Sequence, residues 1–189
     1  MTVTFRRTLL ATALAALIPT AGTALAAAHG VMVGGAEMLA DKDIIENASQ
    51  SEDHTTLVAA VQAAGLVETL QGEGPFTVLA PTNAAFEALP EGTVDTLLMP
   101  ENKQMLADIL TCHVIAAEAM AADVVGMIEG DGGEHELGTV GPCTLTATMR
   151  DDKVVFVDEN GTEASVTIAD VKQSNGVIHV IDAVLLPAQ

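Results

Sequence analysis

The hydrophobic pattern of this chain changes once along its length, and that change limits the fold more than any other feature. From Asp41 to Ile128 apolar residues recur at helical spacing, interrupted by one apolar run at 76–80 that is typical of a buried strand. Beyond Glu136 the pattern is one of Val-, Ile- and Thr-rich segments separated by turns, which predicts strands over 137–140, 143–149, 153–158, 162–168 and 177–185. Helices followed by strands predict an α+β domain, with several helices packed on one side of an antiparallel sheet system.

The first 26 residues have the pattern of a secretory signal peptide. Arg6 and Arg7 precede an apolar run over 9–18, and Ala24-Leu25-Ala26 matches a small-x-small cleavage site. The run is too short for a membrane span, and both the general and the twin-arginine export routes stay open. We therefore predict a secreted protein, periplasmic or extracellular, with a flexible lead-in over 27–40 and one domain over 41–187.

The charge balance excludes one class of partner. Seven residues are basic and 26 are acidic, so the formal net charge is −19. Such a chain repels phosphate backbones, which excludes nucleic acid, and it is also repelled by an anionic membrane surface. No later apolar run approaches the length of a span, so we expect no membrane insertion after signal cleavage.

Two segments of the chain carry a resemblance to a known family. Residues 76–86 read F-T-V-L-A-P-T-N-A-A-F, and residues 175–187 read N-G-V-I-H-V-I-D-A-V-L-L-P. Together they resemble the two signature motifs of the fasciclin I (FAS1) family, and the likeness extends over 41–187. The resemblance implies a FAS1-like fold, a β-sandwich wedge with helices. It also implies a non-catalytic extracellular binding or adhesion module.

The resemblance also suggests roles for single residues. It places a candidate binding surface at Thr82, Asn83, His113, Asp170 and Val171, where Asp170-Val171 matches an integrin-related Asp-Ile pair of the family. Cys112 replaces the aromatic residue of the family's central aromatic-His pair, which weakens an adhesion role there. We expect structural roles for the remaining motif residues Phe76, Pro81, Phe86, Asn175, Gly176, His179, Asp182 and Pro187.

Cys112 and Cys143 are the only cysteines of the chain. Export would place them in an oxidising compartment, which favours a disulfide; the alternative is two separate buried thiols. A Cys112-His113 catalytic dyad is disfavoured, because adjacent residues of a strand point to opposite faces. No G-x-S-x-G, H-E-x-x-H or phosphate-loop motif is present. We therefore predict no enzyme activity, no catalytic residue and no cofactor.

Two acidic stretches raise the question of a metal. Residues 129–136 include Asp131, Glu134, His135 and Glu136; we expect a solvated loop there, with weak cation binding as the open alternative. Residues 158–161 lack the ligand spacing of a calcium loop, and Asn160-Gly161 instead predicts a hairpin turn. No metal site is predicted.

These observations lead to two functional hypotheses. The first is a secreted or periplasmic binding module for cell adhesion, or for contact with the cell envelope or extracellular matrix, through a protein or polysaccharide. The second is an acidic structural or stress-related periplasmic protein that binds cations weakly and has no dedicated partner. Salt distinguishes them, because a purely ionic attraction fades as the Debye length shrinks. The sequence names neither the partner nor the oligomeric state.

Overall fold

The structure is a computed structural model that describes residues 30–188, so the predicted signal peptide lies outside the described residues. The helices are α1 (Ile44–Ala48), α2 (Thr55–Ala64), α3 (Val67–Leu70), α4 (Asn83–Glu87), α5 (Thr93–Leu97), α6 (Lys103–Cys112) and α7 (Ala121–Gly130). The strands are β1 (Val31–Val33), β2 (Ala36–Met38), β3 (Phe76–Pro81), β4 (Val114–Ile115), β5 (Glu134–Gly138), β6 (Thr144–Arg150), β7 (Lys153–Val157), β8 (Glu163–Gln173) and β9 (Gly176–Ile181). The predicted α+β class is confirmed.

Local chemistry explains where several helices begin and end. The Asp43 carboxylate accepts a hydrogen bond of 2.7 Å from the Glu46 amide, and the Glu46 carboxylate accepts one of 3.2 Å from the Asp43 amide, so the pair forms a capping box for α1. Gly65 ends α2 in the left-handed region, with φ 73°. Pro100 opens a short 3-10 turn that leads into α6.

Seven strands form one sheet in the order β4-β3-β9-β8-β7-β6-β5. Every neighbouring pair is antiparallel except β3 and β9, which run parallel from Phe76 opposite Gly176 to Pro81 opposite Ile181. The two sequence motifs therefore pair side by side in the middle of the sheet. We predicted an antiparallel sheet system, and the parallel pairing of β3 and β9 corrects that prediction. It is possible because the long segment between the two strands, which contains several helices and strands, brings the chain back to the same end of the sheet.

Strand β8 divides the sheet into two halves. It pairs with β7 through Glu163–Ser165 and with β9 from Val166 onward, and its register shifts between Val166 and Val171. Such irregularities bend a strand and increase its twist. The bend lets one half of the sheet carry most of the helices, while the other half packs against α7.

The central strands β3 and β9 are buried on both faces and separate two cores. Val78, Ala80, Ile178 and Val180 face the helical core, which helices α1 to α6 complete. Leu79 and Ile181 face the α7 core, formed by α7, by β6 to β8 and by the C-terminal Leu185. Alternation of side chains along a strand produces this division.

The N-terminal segment differs from its prediction. Within residues 30–40, which we expected to be flexible, β1 and β2 form a hairpin through Gly34 and Gly35, with φ 55° and 76°. Val33 and Met38 are buried in the helical core, and the Gly34 carbonyl accepts a hydrogen bond from the Glu52 amide. Three-residue strands are too short to show a period, and Gly34-Gly35, a dipeptide that favours two-residue hairpin turns, was a local signal that the prediction missed.

The disulfide prediction is confirmed. Cys112 and Cys143 are both buried and bonded to each other, with 5.2 Å between their Cα atoms. The bond connects the end of α6, which belongs to the helical core, with the start of β6, which belongs to the other half of the sheet. No helix within residues 30–188 is long and apolar enough to cross a membrane.

Candidate functional site

Thr82 and Asn83 form the start of α4 and have structural partners. The Thr82 hydroxyl caps the helix by accepting a bond of 3.3 Å from the Ala85 amide. Asn83 Oδ1 accepts from the Thr56 amide at 3.0 Å, and its Nδ2 donates to the Glu52 carbonyl at 2.8 Å. Both side chains are half-buried, and they join α4 to the start of α2.

His113 and Val171 are inaccessible to a partner, which corrects their place in the predicted binding surface. The exposed fraction is 2% for His113 and 0% for Val171. His113 follows the last turn of α6: its Nδ1 donates to the Ile109 carbonyl at 2.8 Å, and its Nε2 accepts from the Leu185 amide at 3.0 Å. Burial lowers the pKa of His113 to about 4, so the imidazole is neutral and serves as a bridge inside the fold.

Asp170 has a backbone φ of 59° at the irregular part of β8. Its carboxylate accepts a hydrogen bond of 2.7 Å from the Ala121 amide, at the N-terminus of α7, and its own amide donates to His179 Nδ1 at 3.2 Å. His179 Nε2 then donates to the Ala119 carbonyl at 2.8 Å. The acid that the resemblance connected with integrin binding thus holds α7 on the sheet.

His179 is buried, and burial lowers its pKa against the opposing effects of the Ala119 carbonyl and Asp170. A third buried histidine, His54, was missed by the sequence reasoning. Its Nδ1 lies 2.8 Å from the Ser51 hydroxyl, and its Nε2 has no hydrogen-bond partner within the described residues. Burial also lowers the pKa of His54. The Ser-x-x-His spacing was the one signal available, and it is common in unrelated chains.

The remaining motif residues stabilise the domain. Asn175 accepts from the Ile44 amide at 3.1 Å and donates to the carbonyls of Leu70 and Gly72, so it connects β9 with two helices. A Cβ at Gly176 would collide with the carbonyl oxygen of Phe76 on the parallel strand. Phe76 and Phe86 pack in the helical core, Asp182 accepts from the Ser165 amide, and the Pro187 carbonyl accepts from Asn160.

The geometry of the described residues bears on the Cys112-His113 pair and on a metal site. Cys112 is the last residue of α6, not part of a strand as expected, and its bond to Cys143 leaves no free thiol to act as a nucleophile. Within residues 30–188 no group of three His, Cys, Asp or Glu side chains is arranged to hold a metal ion. In the 158–161 turn the Asp158 carboxylate accepts from the amides of Asn160, Thr162 and Leu186, as a hairpin requires.

A polar cleft of about 580 Å³ lies beside the two motif loops. Its walls carry four acidic side chains and three amides: Asp43, Glu46, Glu73, Glu118, Gln71, Gln173 and Asn175. Asp43 and Glu46 are occupied by the capping box, but the exposed Glu73 and Glu118 carboxylates make no hydrogen bond within residues 30–188. The cleft thus offers free acceptors and a negative potential.

An apolar cleft of about 210 Å³ lies between α7 and the sheet and shares no lining residue with the polar cleft. Its walls are formed by Val124 and Val125 of α7 and by side chains of β7 and β8, among them Val154, Phe156 and Val166. His179 also contacts this cleft, but both of its ring nitrogens already have protein partners. The interior therefore favours apolar groups.

Comparisons with known proteins agree with this geometry. The family model for the fasciclin domain matches residues 52–187. Protein sll1483 of a Synechocystis strain is 51% identical over 144 residues, covering 76% of this chain and 73% of that protein. The cell surface glycolipoprotein MPB83 of Mycobacterium bovis is 33% identical over 160 residues, covering 82% of this chain and 64% of that protein.

The fold is similar to a solved structure as well. A FAS1 domain pair from the insect cell adhesion molecule fasciclin I superposes with a TM-score of 0.68 at 20% identity, covering 77% of this chain and 51% of that one. At this identity the likeness shows a shared fold. The sequence matches go further, and together they establish that the chain belongs to the fasciclin domain family.

Proposed function

We propose that this chain is a non-catalytic binding module that acts at the cell envelope or outside the cell and contacts a protein or polysaccharide. The observation that carries the proposal is the fasciclin domain match over 52–187. A relative at 33% identity is named as a cell surface protein, and the structural neighbour is a cell adhesion molecule. The predicted signal peptide over 1–26 supports a location outside the cytoplasm.

The polar cleft is the contact surface that we assign to this partner. His113 and Val171 are buried, so two positions of the binding surface suggested by the family resemblance have no exposed group to offer. Glu73 and Glu118 are exposed, lie in a concave surface and have unused acceptor atoms. Carboxylates accept strong hydrogen bonds from Arg and Lys side chains and from sugar hydroxyls. The partner therefore presents neutral or basic hydrogen-bond donors.

A pull-down with charge-matched variants tests this assignment. The exported protein, immobilised, is exposed to envelope and culture-medium fractions at about 0.15 M and about 1 M salt, which differ several-fold in Debye length. The test variant is Glu73→Lys with Glu118→Lys, in the polar cleft. The control is Glu87→Lys with Glu91→Lys, two exposed acids outside it, which changes the net charge equally.

A partner that is retained by wild type and by the control at both salt concentrations, and that is lost from the cleft variant, supports the proposal. Equal loss from both variants means that retention follows net charge alone. Retention only at low salt would also show that binding follows net charge. Both results would favour the second hypothesis, an acidic structural or stress-related protein without a dedicated partner. Asp170→Ala is unsuitable as the test variant, because it would loosen α7.

A further inference from the structure

We infer that the apolar cleft between α7 and the sheet binds a small organic anion, a carboxylate with a compact apolar body. This site is separate from the polar cleft, so the inference does not depend on the proposed function. It rests on three observations: the size of the cleft, the apolar character of its walls, and the charged residues at its mouth.

The size of the cleft limits the ligand. A volume of about 210 Å³ is somewhat larger than the engineered apolar cavity of about 150 Å³ that binds benzene. It therefore has room for one aromatic ring with substituents or for a medium-length acyl chain. Larger molecules such as a steroid would need the 300 Å³ or more of a typical drug-sized pocket.

The walls of the cleft favour an apolar body. Val125 of α7 is only half-buried, and Met149 of β6 has an exposed fraction of 36%, so apolar surface is open to solvent there. The polar groups nearest the interior already have partners: His179 through both ring nitrogens, and the Thr167 hydroxyl through the Val180 carbonyl at 3.1 Å. An apolar ligand would thus cover exposed apolar surface without leaving a polar group unpaired.

The charged side chains at the mouth of the cleft are Lys153 and Asp152, and Lys153 is the group that an anionic ligand would contact. Lys153 is exposed at the mouth and forms no salt bridge with any acid among residues 30–188, whereas nearby Arg150 pairs with Glu163 at 2.9 Å. Lys153 follows directly on the two-residue turn Asp151-Asp152, whose φ values are 50° and 62°, and its flexible side chain lines the cleft. A carboxylate on the ligand would give Lys153 the anionic partner that it lacks.

Asp152 also lies at the mouth and opposes an anion there. Its carboxylate is not within salt-bridge distance of Lys153, so the ammonium is free to turn toward a ligand. The opposite charges of Asp152 and Lys153 provide the most specific test of the proposal. Removal of the Asp152 charge should tighten anion binding, and removal of the Lys153 charge should weaken it, while the apolar walls stay unchanged.

The experiment is a titration of the exported full protein with octanoate, followed by carbon-13 methyl NMR. We expect saturable shifts confined to methyl groups of the cleft, such as those of Val125, Val154 and Val166. Ala169→Phe, at an exposed lining position, should abolish them by filling the mouth. Ala122→Phe, which is exposed on α7 outside the lining, should leave them unchanged.

The charge series uses the same titration at low salt. Lys153→Gln should weaken octanoate binding about two- to fivefold, as expected for one exposed charge pair, and Asp152→Asn should strengthen it by a similar factor. Lys172→Gln, an exposed lysine of β8 outside the cleft, is the matched control and should change nothing. Asn accepts positive φ as readily as Asp, so this variant adds no strain at position 152.

Three results would overturn the inference. The first is the absence of saturable shifts at millimolar octanoate. The second is binding that survives Ala169→Phe, because the ligand would then lie elsewhere. The third is an affinity for octan-1-ol and for octylammonium that equals the affinity for octanoate, because the apolar site would then have no preference for an anion.

Discussion

The two faces of the central β3–β9 pair are covered in different ways. Six helices and the N-terminal hairpin close one face, whereas α7 is the one helix packed on the other within residues 30–188. On the helical side, burial of apolar side chains from many elements fixes the layer. On the α7 side one helix packs against strands β6 to β8 and Leu185, and polar contacts of residues 117–121 with the sheet add to this packing.

Those contacts come from side chains on three strands. The Thr77 hydroxyl donates to the Ala117 carbonyl at 2.6 Å and accepts from the Ala119 amide at 2.9 Å. His179 binds the Ala119 carbonyl, and Asp170 binds the Ala121 amide. The two family motifs thus contribute to the attachment of α7 through Thr77 and His179. These polar contacts lie at the N-terminal end of α7, and the apolar cleft lies beside the following turn, at Val124 and Val125.

The largest effect that we predict comes from removal of the disulfide, which joins the two sides. The bridge closes a loop with a sequence separation of 31 residues. The chain-entropy model gives such a loop a stabilisation of about 3 to 4 kcal/mol. We expect Cys112→Ala with Cys143→Ala to lower the free energy of unfolding by about this amount in urea denaturation.

Hydrogen exchange on the same variant sharpens the comparison. If the α7 side depends on the bridge more than the helical side does, amides of α7 should lose more protection than those of α2 and α6. An equal loss of protection in α7, α2 and α6 would show that the two sides open as one unit. The α7 side would then not depend on the disulfide more than the helical side does. Mass analysis after alkylation without reductant checks that wild type carries the bridge.

The second prediction concerns the buried histidines. The folded pKa of His113 is about 4, below the ordinary value of 6.5, so the unfolded chain binds the proton more tightly. The stabilisation is therefore fully present above pH 6.5 and is lost as pH falls toward 4, by about 3 kcal/mol for this residue. His54 and His179 act in the same direction. Urea denaturation between pH 7 and pH 4.5 measures the slope.

Nitrogen-15 NMR of the imidazole rings distinguishes the tautomer of His113 from that of His179. The partners of His113 require a proton on Nδ1, whereas those of His179 require it on Nε2. We expect these opposite tautomers at pH 7, and His113→Gln should remove one proton from the pH slope. A His113 imidazole that titrates near its ordinary pKa would contradict the assignment of the bridge between α6 and Leu185.

The sequence predicted the elements whose signals are local. The Asn160-Gly161 turn depends on neighbouring residues alone, and it connects the hairpin of β7 and β8 as predicted. The FAS1-like fold followed from the two motifs. Local signals did not show the parallel direction of β3 and β9, because strand pairing between distant segments depends on the path of the whole chain.

Exposure was the property that the sequence predicted least well. The resemblance placed His113 and Val171 in a binding surface by residue type, and the structure buries both. Strand β8 continues beyond the predicted 162–168 to Gln173, because the irregularity near Asp170 interrupts the alternation that marks a strand. Both clefts combine residues from distant parts of the chain, so neither could be found from spacing.

The smallest predicted effect tests the polar attachment of α7 directly. Asp170→Ala removes the acceptor of the Ala121 amide at the helix N-terminus, and loss of such a cap costs about 1 kcal/mol. Asp170→Asn keeps an acceptor oxygen and tolerates the left-handed backbone, so it is the matched control. We expect the alanine variant to lose exchange protection in the first turn of α7 and the asparagine variant to retain most of it. Unchanged protection in Asp170→Ala would mean that the Asp170 hydrogen bond is not needed to hold the first turn of α7, and that apolar packing with the contacts of Thr77 and His179 is sufficient.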